Sequence, residues 1–326
     1  MDKSLQQLLT SCINYAGLYP PANLNLREAL RGYVNFSHSK HAWMLSNFVI
    51  PYNQLSLLST FADRKQQLKG PLSLCITGPE SNTLFDFKNA VVNIDKEIQA
   101  AHSGYPGEVR TNILELTFPL GSVQKMNPEE LIKSLEAVVS ATAESRLLPH
   151  RVFFGVPGDN YDAQTTKKII KVIAVHNKSI LKRKIENYLF SGLKIDCGGK
   201  NPPSAKYLAD VLLYARDANV AIKFSGTENT PFPGFDYSRQ HSVHGFLNLL
   251  IASTLAYTQD LNLEETIEVI EDSNPENFGF KEGYLSWREL AAPLMEIKML
   301  RMLSITSFNF TTFAAPVEGL KEYQFL

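Results

Sequence analysis

Lys194 and Lys223 each sit mid-way along a short run that alternates apolar and polar residues: Gly-Leu-Lys-Ile-Asp-Cys-Gly-Gly from Gly192 and Val-Ala-Ile-Lys-Phe-Ser-Gly-Thr from Val220. Such alternation predicts β-strands. In the first run Leu193, Ile195 and Cys197 share one face and Lys194 and Asp196 the other; in the second Val220, Ile222 and Phe224 oppose Ala221, Lys223 and Ser225. A helix-like segment separates the runs, so they read as neighbouring parallel strands aiming two amines into one space. Lysine is rarely buried unless it is paired. A buried lysine beside a second cation loses its proton more readily, and the neutral amine can add to a carbonyl and form a Schiff base. The other lysine, or a carboxylate, would then carry protons. If both amines stay protonated, they instead clamp an anionic substrate or an enolate.

The elements that must position these lysines follow a β/α alternation. Strands are expected at 43–50, 72–77, 112–118, 151–156, 192–197, 220–225, 278–280 and 305–310, the seventh being short. Helices are expected near 53–68, 83–102, 128–146, 163–176, 205–218, 241–257 and 287–303. Asn127 before Pro128-Glu129-Glu130 is an N-terminal signal, and Ser286 with Glu289 reads as a capping box. Eight β/α repeats in 326 residues predict a (β/α)8 TIM-type barrel spanning 1–326 as one domain. Residues 1–40 form an N-terminal helical extension, with two amphipathic stretches (3–15 and 26–36) that could plug the barrel bottom. A doubly wound sheet would carry a Gly-x-Gly-x-x-Gly turn after its first strand, which is absent.

Sending the apolar face of each strand toward the helices leaves an interior set. It comprises Ser73, Cys75 and Thr77; Ile113, Glu115 and Thr117; Arg151, Phe153 and Gly155; Lys194 and Asp196; Ala221, Lys223 and Ser225; and Ser307 and Asn309. Structural barrels fill this space with branched apolar side chains. Two readings follow: an ion network pairing Glu115 with Lys194 or Lys223 that holds strand register, or an active site at the C-terminal strand ends. In the second, Lys194, Lys223, Asp196 and Glu115 are the catalytic candidates. Gly198, Gly199, Ser225, Gly226, His244 and Asn309 are the substrate-binding candidates, the glycine turns offering backbone N–H groups to an anion. His241 and His244 could share a helix face, and the loop 227–240 before them is a candidate lid. No metal-ligand motif, P-loop or Gly-x-Ser-x-Gly is present, and no metal or cofactor is expected.

Composition narrows the partners. Charged residues make up 20% and net charge is −1, which argues against nucleic acid or an anionic membrane. The basic run 178–184 reads as an exposed helix face. No apolar run reaches the ~20 residues needed to span a bilayer. The start Met-Asp-Lys-Ser-Leu-Gln-Gln lacks a leader-like apolar core. Three scattered cysteines (Cys12, Cys75, Cys197) fit a reducing compartment, so a cytoplasmic location is expected.

Two resemblances add expectations. Asn14-Tyr15-Ala16-Gly17-Leu18-Tyr19-Pro20-Pro21-Ala22, His41-Ala42-Trp43-Met44-Leu45, His244-Gly245-Phe246-Leu247-Asn248 and the Ser307-Phe308 segment resemble a family of uncharacterised bacterial TIM-barrel-like proteins. Members tend to carry adjacent histidines after the Lys223 strand, where this chain has Glu228-Asn229-Thr230. Lys-Ile-Asp-Cys-Gly-Gly and Ile-Lys-Phe-Ser-Gly-Thr are similar to the paired lysine strands of deoxyribose-phosphate aldolases. That resemblance implies Lys194 as the Schiff-base residue and Lys223 as its tuner, on strands six and seven; the count above puts them on five and six. The expected function is a lyase, aldolase or isomerase acting on a small anionic carbonyl compound, with a sugar phosphate as one option. The contrasting function is a non-catalytic barrel that binds a metabolite or protein around a structural ion network.

Overall fold

The computed structural model describes residues 2–61, 68, 70–143, 151–156, 162–183, 190–199, 201–226, 230–237 and 240–326. Eight parallel strands close into a barrel: β1 (Ile13–Tyr15), β2 (Leu45–Pro51), β3 (Leu72–Thr77), β4 (Val109–Thr117), β5 (Arg151–Gly155), β6 (Gly192–Asp196), β7 (Ala221–Ser225) and β13 (Ile305–Phe310). β13 pairs with both β7 and β1, which completes the circle. Between β7 and β13 lie a hairpin, β8 (Gly234–Asp236) and β9 (His241–Val243), and a three-stranded antiparallel sheet, β10 (Phe278–Phe280), β11 (Tyr284–Trp287) and β12 (Leu290–Pro293). This is the expected (β/α)8 barrel with flanking helices.

The strand membership differs from expectation at two places. Phe278–Phe280 belongs to the antiparallel sheet, and the barrel's first strand is Ile13–Tyr15. The stretch 3–15 therefore splits into a helix, Lys3–Leu9, and a barrel strand, while Leu26–Ser37 is the helix between β1 and β2. Helix Lys3–Leu9 packs on helix Leu294–Leu303. With β1 counted, Lys194 and Lys223 stand on the sixth and seventh strands of the barrel.

Local signals explain most helix starts. Asn127 Oδ1 accepts from Glu130 N at 3.0 Å, and Glu130 Oε2 accepts from Asn127 N at 3.1 Å, closing a capping box ahead of helix Pro128–Ala143. Thr83, Ser204 and Asn262 cap the helices that follow them. The predicted capping box at Ser286 and Glu289 does not form: Ser286 lies within β11, and the helix begins only at Leu294. There the alternation of buried Leu285 and Trp287 wins, and Trp287 Nε1 donates to Asp272 Oδ2 at 2.8 Å. Likewise His241 is in β9 and the helix runs Phe246–Thr258, so His241 and His244 do not share a helix face. That helix is buried from Phe246 to Ala256, so its polar residues Asn248, Ser253 and Thr254 are buried with the apolar ones and each bonds a backbone carbonyl. The predicted helix at 53–68 is a 3-10 segment over Tyr52–Phe61, and Leu68 lies in a bend; 62–67 of that helix, 144–146 of the helix at 128–146 and Lys184 of the basic run lie outside the described residues.

One irregularity sets the barrel interior. Leu74 is opposite Thr111 but Cys75 is opposite Ile113, so Asn112 is an extra residue in β4. A bulge of this kind reverses which face the later residues take. Val109 accordingly packs with the helices, whereas Ile113 joins the interior cluster of Ala16, Val49, Cys75, Phe153 and Ala221. Glu115 thereby points inward. Phe153 fills the space over Gly192, where a Cβ would stand 2.5 Å from Phe153 Cε1 and 2.7 Å from the Ala221 carbonyl oxygen.

Candidate functional site

Glu115, Lys194 and Lys223 meet inside the barrel. Lys194 is opposite Lys223 in the ladder. Lys194 Nζ lies 2.8 Å from Glu115 Oε2 and Lys223 Nζ lies 3.3 Å from Oε1. Asn309 Nδ2 donates to both oxygens, at 2.9 and 3.1 Å, and Cys75 Sγ donates to Oε1 at 3.1 Å. Lys223 also donates to Asn309 Oδ1 at 2.5 Å and Ser307 Oγ at 3.3 Å. The carboxylate is thus fully engaged, as a buried charge must be.

Exposure separates the two lysines. The Lys223 side chain is 0% exposed and Glu115 2%, but Lys194 is 23% exposed. Lys194 is the member that solvent reaches. Burial alone would raise the Glu115 pKa; the charges of Lys194 and Lys223, with hydrogen bonds from Lys194 and Asn309, hold it well below the usual carboxylate range. Burial opposes the Lys194 ammonium, but the charge and hydrogen bond of Glu115, helped by Asp196 and Cys75, hold its pKa above the ordinary lysine value. The resting cluster is therefore one carboxylate facing two cations, and Glu115 accepts protons poorly at neutral pH.

A line of amides supports the cluster. Asn112 donates to Asn47 Oδ1 at 2.8 Å, Asn47 to Asn14 Oδ1 at 2.8 Å, and Asn14 to Ser307 Oγ at 2.8 Å and Asn309 Oδ1 at 3.0 Å. Asn309 then closes on Glu115. Asn14 and Asn47 are buried and escaped the sequence reading, although Asn14 opens the Asn-Tyr-Ala-Gly run noted there.

The remaining candidates lie around the C-terminal strand ends. Asp196 is exposed at the end of β6, and its Oδ1 accepts from Gly198 N at 3.0 Å. Gly198 and Gly226 approach so closely that a Cβ on Gly198 would stand 2.2 Å from the Gly226 carbonyl oxygen. Gly199 and Gly226 have φ of +90° and +72°. The Ser225 hydroxyl is buried without a hydrogen-bond partner among the described residues. His244 donates from Nε2 to the Pro203 carbonyl at 2.6 Å, tying the segment after β6 to the segment after β7; burial pushes its pKa down against that hydrogen bond. Of the lid candidate 227–240, residues 227–229 and 238–239 lie outside the described residues, and the rest includes β8. The Glu228-Asn229 comparison and the Thr227 end of the second glycine turn lie outside them too.

Tyr19, which follows β1, was not anticipated. Its half-buried ring packs on the interior cluster and its hydroxyl lies 2.5 Å from Thr77 Oγ1. Among the described residues no group of three or more His, Cys, Asp or Glu side chains gathers to hold a metal, and no helix is long and apolar enough to cross a membrane. In comparisons with known families and curated proteins, no family model and no curated protein matches this chain.

Proposed function

We propose that this barrel is a lyase or isomerase of small anionic carbonyl compounds, working through a Schiff base on Lys194. The observation that carries this reading is the graded exposure of the cluster: a partly exposed lysine side chain in the middle of β6, backed by a fully enclosed lysine on the same carboxylate. A network serving only strand register gains nothing from leaving one lysine side chain partly open to solvent. Loss of a proton from Lys194 takes the cluster from net +1 to neutral and leaves Glu115 still paired with Lys223, so no bare buried charge results. The neutral amine can then attack a carbonyl. Lys223, too deep to touch substrate, tunes the amine, and Glu115 with Asn309 holds both lysines. The standing of the two lysines on strands six and seven agrees with the aldolase resemblance, which is an analogy of arrangement.

A second reading keeps Lys194 as a cation that clamps a substrate carboxylate, phosphate or enolate. Its support is the Glu115 contact, which favours the ammonium form at rest. Borohydride trapping with a panel of aldehydes, ketones and sugar phosphates decides between them. A stable adduct mapped to Lys194 and lost in Lys194→Arg supports the Schiff base; no adduct across the panel moves the assignment to the clamp.

A further inference from the structure

We propose that Tyr19 is the acid–base residue of the site, giving a proton to the carbonyl oxygen as it leaves and taking one back from substrate. This rests on the Schiff-base reading of Lys194. Such chemistry needs a group that both gives and accepts a proton beside the amine. Glu115 is locked by two lysines, an amide and a thiol. Lys223 is fully buried, and Asp196 is exposed at the rim with one oxygen turned to Gly198.

Tyr19 is placed for the role. The chain leaves β1 and turns back at once, with Tyr19 N donating to the Ala16 carbonyl at 3.0 Å and Asn23 N to the Tyr19 carbonyl at 3.0 Å. This swings the ring onto the interior cluster and brings its hydroxyl across β2 to Thr77 on β3. Thr77 is the ladder neighbour of Glu115. Burial, with Cys75 and the Glu115 charge, holds the phenol's pKa above the ordinary tyrosine value against the Thr77 hydrogen bond and the Lys194 charge, so at rest the proton stays on Tyr19 and is there to be given. Thr77 holds the hydroxyl and has its own O–H to reorient when the phenol gives up its proton.

The steps balance. The Lys194 nitrogen bonds to the carbonyl carbon, and one N–H proton moves to the oxygen, giving a carbinolamine. The C–O bond then breaks as the Tyr19 proton joins the leaving hydroxyl to form water. The nitrogen lone pair becomes the C=N bond, leaving a protonated Schiff base and a tyrosinate. In the lyase direction the tyrosinate takes the proton of the hydroxyl β to the iminium carbon. The C–C bond breaks toward the iminium, yielding an enamine on Lys194 and a free aldehyde, and Tyr19 is again a phenol. The implied substrate is a β-hydroxy carbonyl compound.

The test compares wild type with Tyr19→Phe, which keeps the ring on its packing surface. The rate of cyanoborohydride trapping of glycolaldehyde on Lys194 is followed by intact mass, with circular dichroism confirming the fold. We expect Tyr19→Phe to slow adduct formation by about 100-fold, in the range of a lost general acid. We also expect the variant's rate, and not that of wild type, to rise with the concentration of a general-acid buffer. A merely structural tyrosine would show no such rescue. Equal rates in the two proteins overturn the Tyr19 assignment and leave the Schiff base standing, as does a slow variant that buffer does not rescue. No adduct in wild type overturns the Schiff base and this inference with it.

Discussion

Lys194 and Lys223 are ladder partners on β6 and β7, yet one meets solvent and the other none, while both reach the same carboxylate. Adjacent strands with identical side chains in register thus present two different amines. The difference arises because Lys223 is drawn toward Ser307 and Asn309 on the neighbouring β13, and Lys194 has no such partner on β5, where Gly155 lies opposite it.

The two lysines should therefore differ in their weight for stability. Lys223→Met leaves Asn309 Oδ1, Ser307 and one side of Glu115 without their cation, and breaking a buried pair costs about 3–5 kcal/mol. Lys194→Met removes a partly solvated cation and should cost less. Urea denaturation of both variants checks the order; a Lys194→Met variant less stable than Lys223→Met would contradict it.

The ion cluster also predicts a pH dependence. The Glu115 pKa is depressed in the folded chain, so its contribution is fully present above the unfolded carboxylate value of about 4.3 and is lost as pH falls through the folded value. The Lys194 pKa is raised, so its contribution is fully present below the unfolded lysine value of about 10.4 and is lost as pH rises through the folded value. Both coexist between these limits. The gap in melting temperature between wild type and Glu115→Gln should be flat across this window and shrink below about pH 4. A gap as large at pH 3 as at pH 7 would mean that the Glu115 charge is not what stabilises the barrel.

Asn14 is 0% exposed and joins β2 to β13 through its amide. Asn14→Leu keeps the approximate volume but strips hydrogen bonds from Asn47, Ser307 and Asn309. Each buried polar group left short costs about 1–3 kcal/mol, so the urea midpoint should fall with the slope unchanged. An unchanged midpoint would show that water replaces the amide.

All three cysteines are buried, and burial pushes every thiol up, Cys12 to about 12 and Cys75 and Cys197 well above the ordinary value. The native protein should resist iodoacetamide at neutral pH, while the denatured chain takes up three labels. Rapid native labelling of Cys75 would mean that the interior opens more readily than its packing implies.

The period-two alternation was enough to sort Glu115, Lys194, Lys223, Ser307 and Asn309 onto the inner face, because a strand that packs helices outside must turn its other residues inward, whereas Asp196, sorted with them, stands exposed at the rim. The repeat of strand and helix likewise identified the barrel. What local pattern could not supply was β1: three residues, Ile13–Tyr15, are too few to show a period, and they become a strand only by pairing with β13 at the far end of the chain. Phe278–Phe280 had the composition of a barrel strand but found its partner in β11. With β1 came Asn14 and Tyr19, whose roles exist only through contacts with Ser307, Asn309 and Thr77. The exposure of Lys194 against the enclosure of Lys223 was decided there too, since burial depends on which neighbours close around a side chain, and those neighbours lie on other strands.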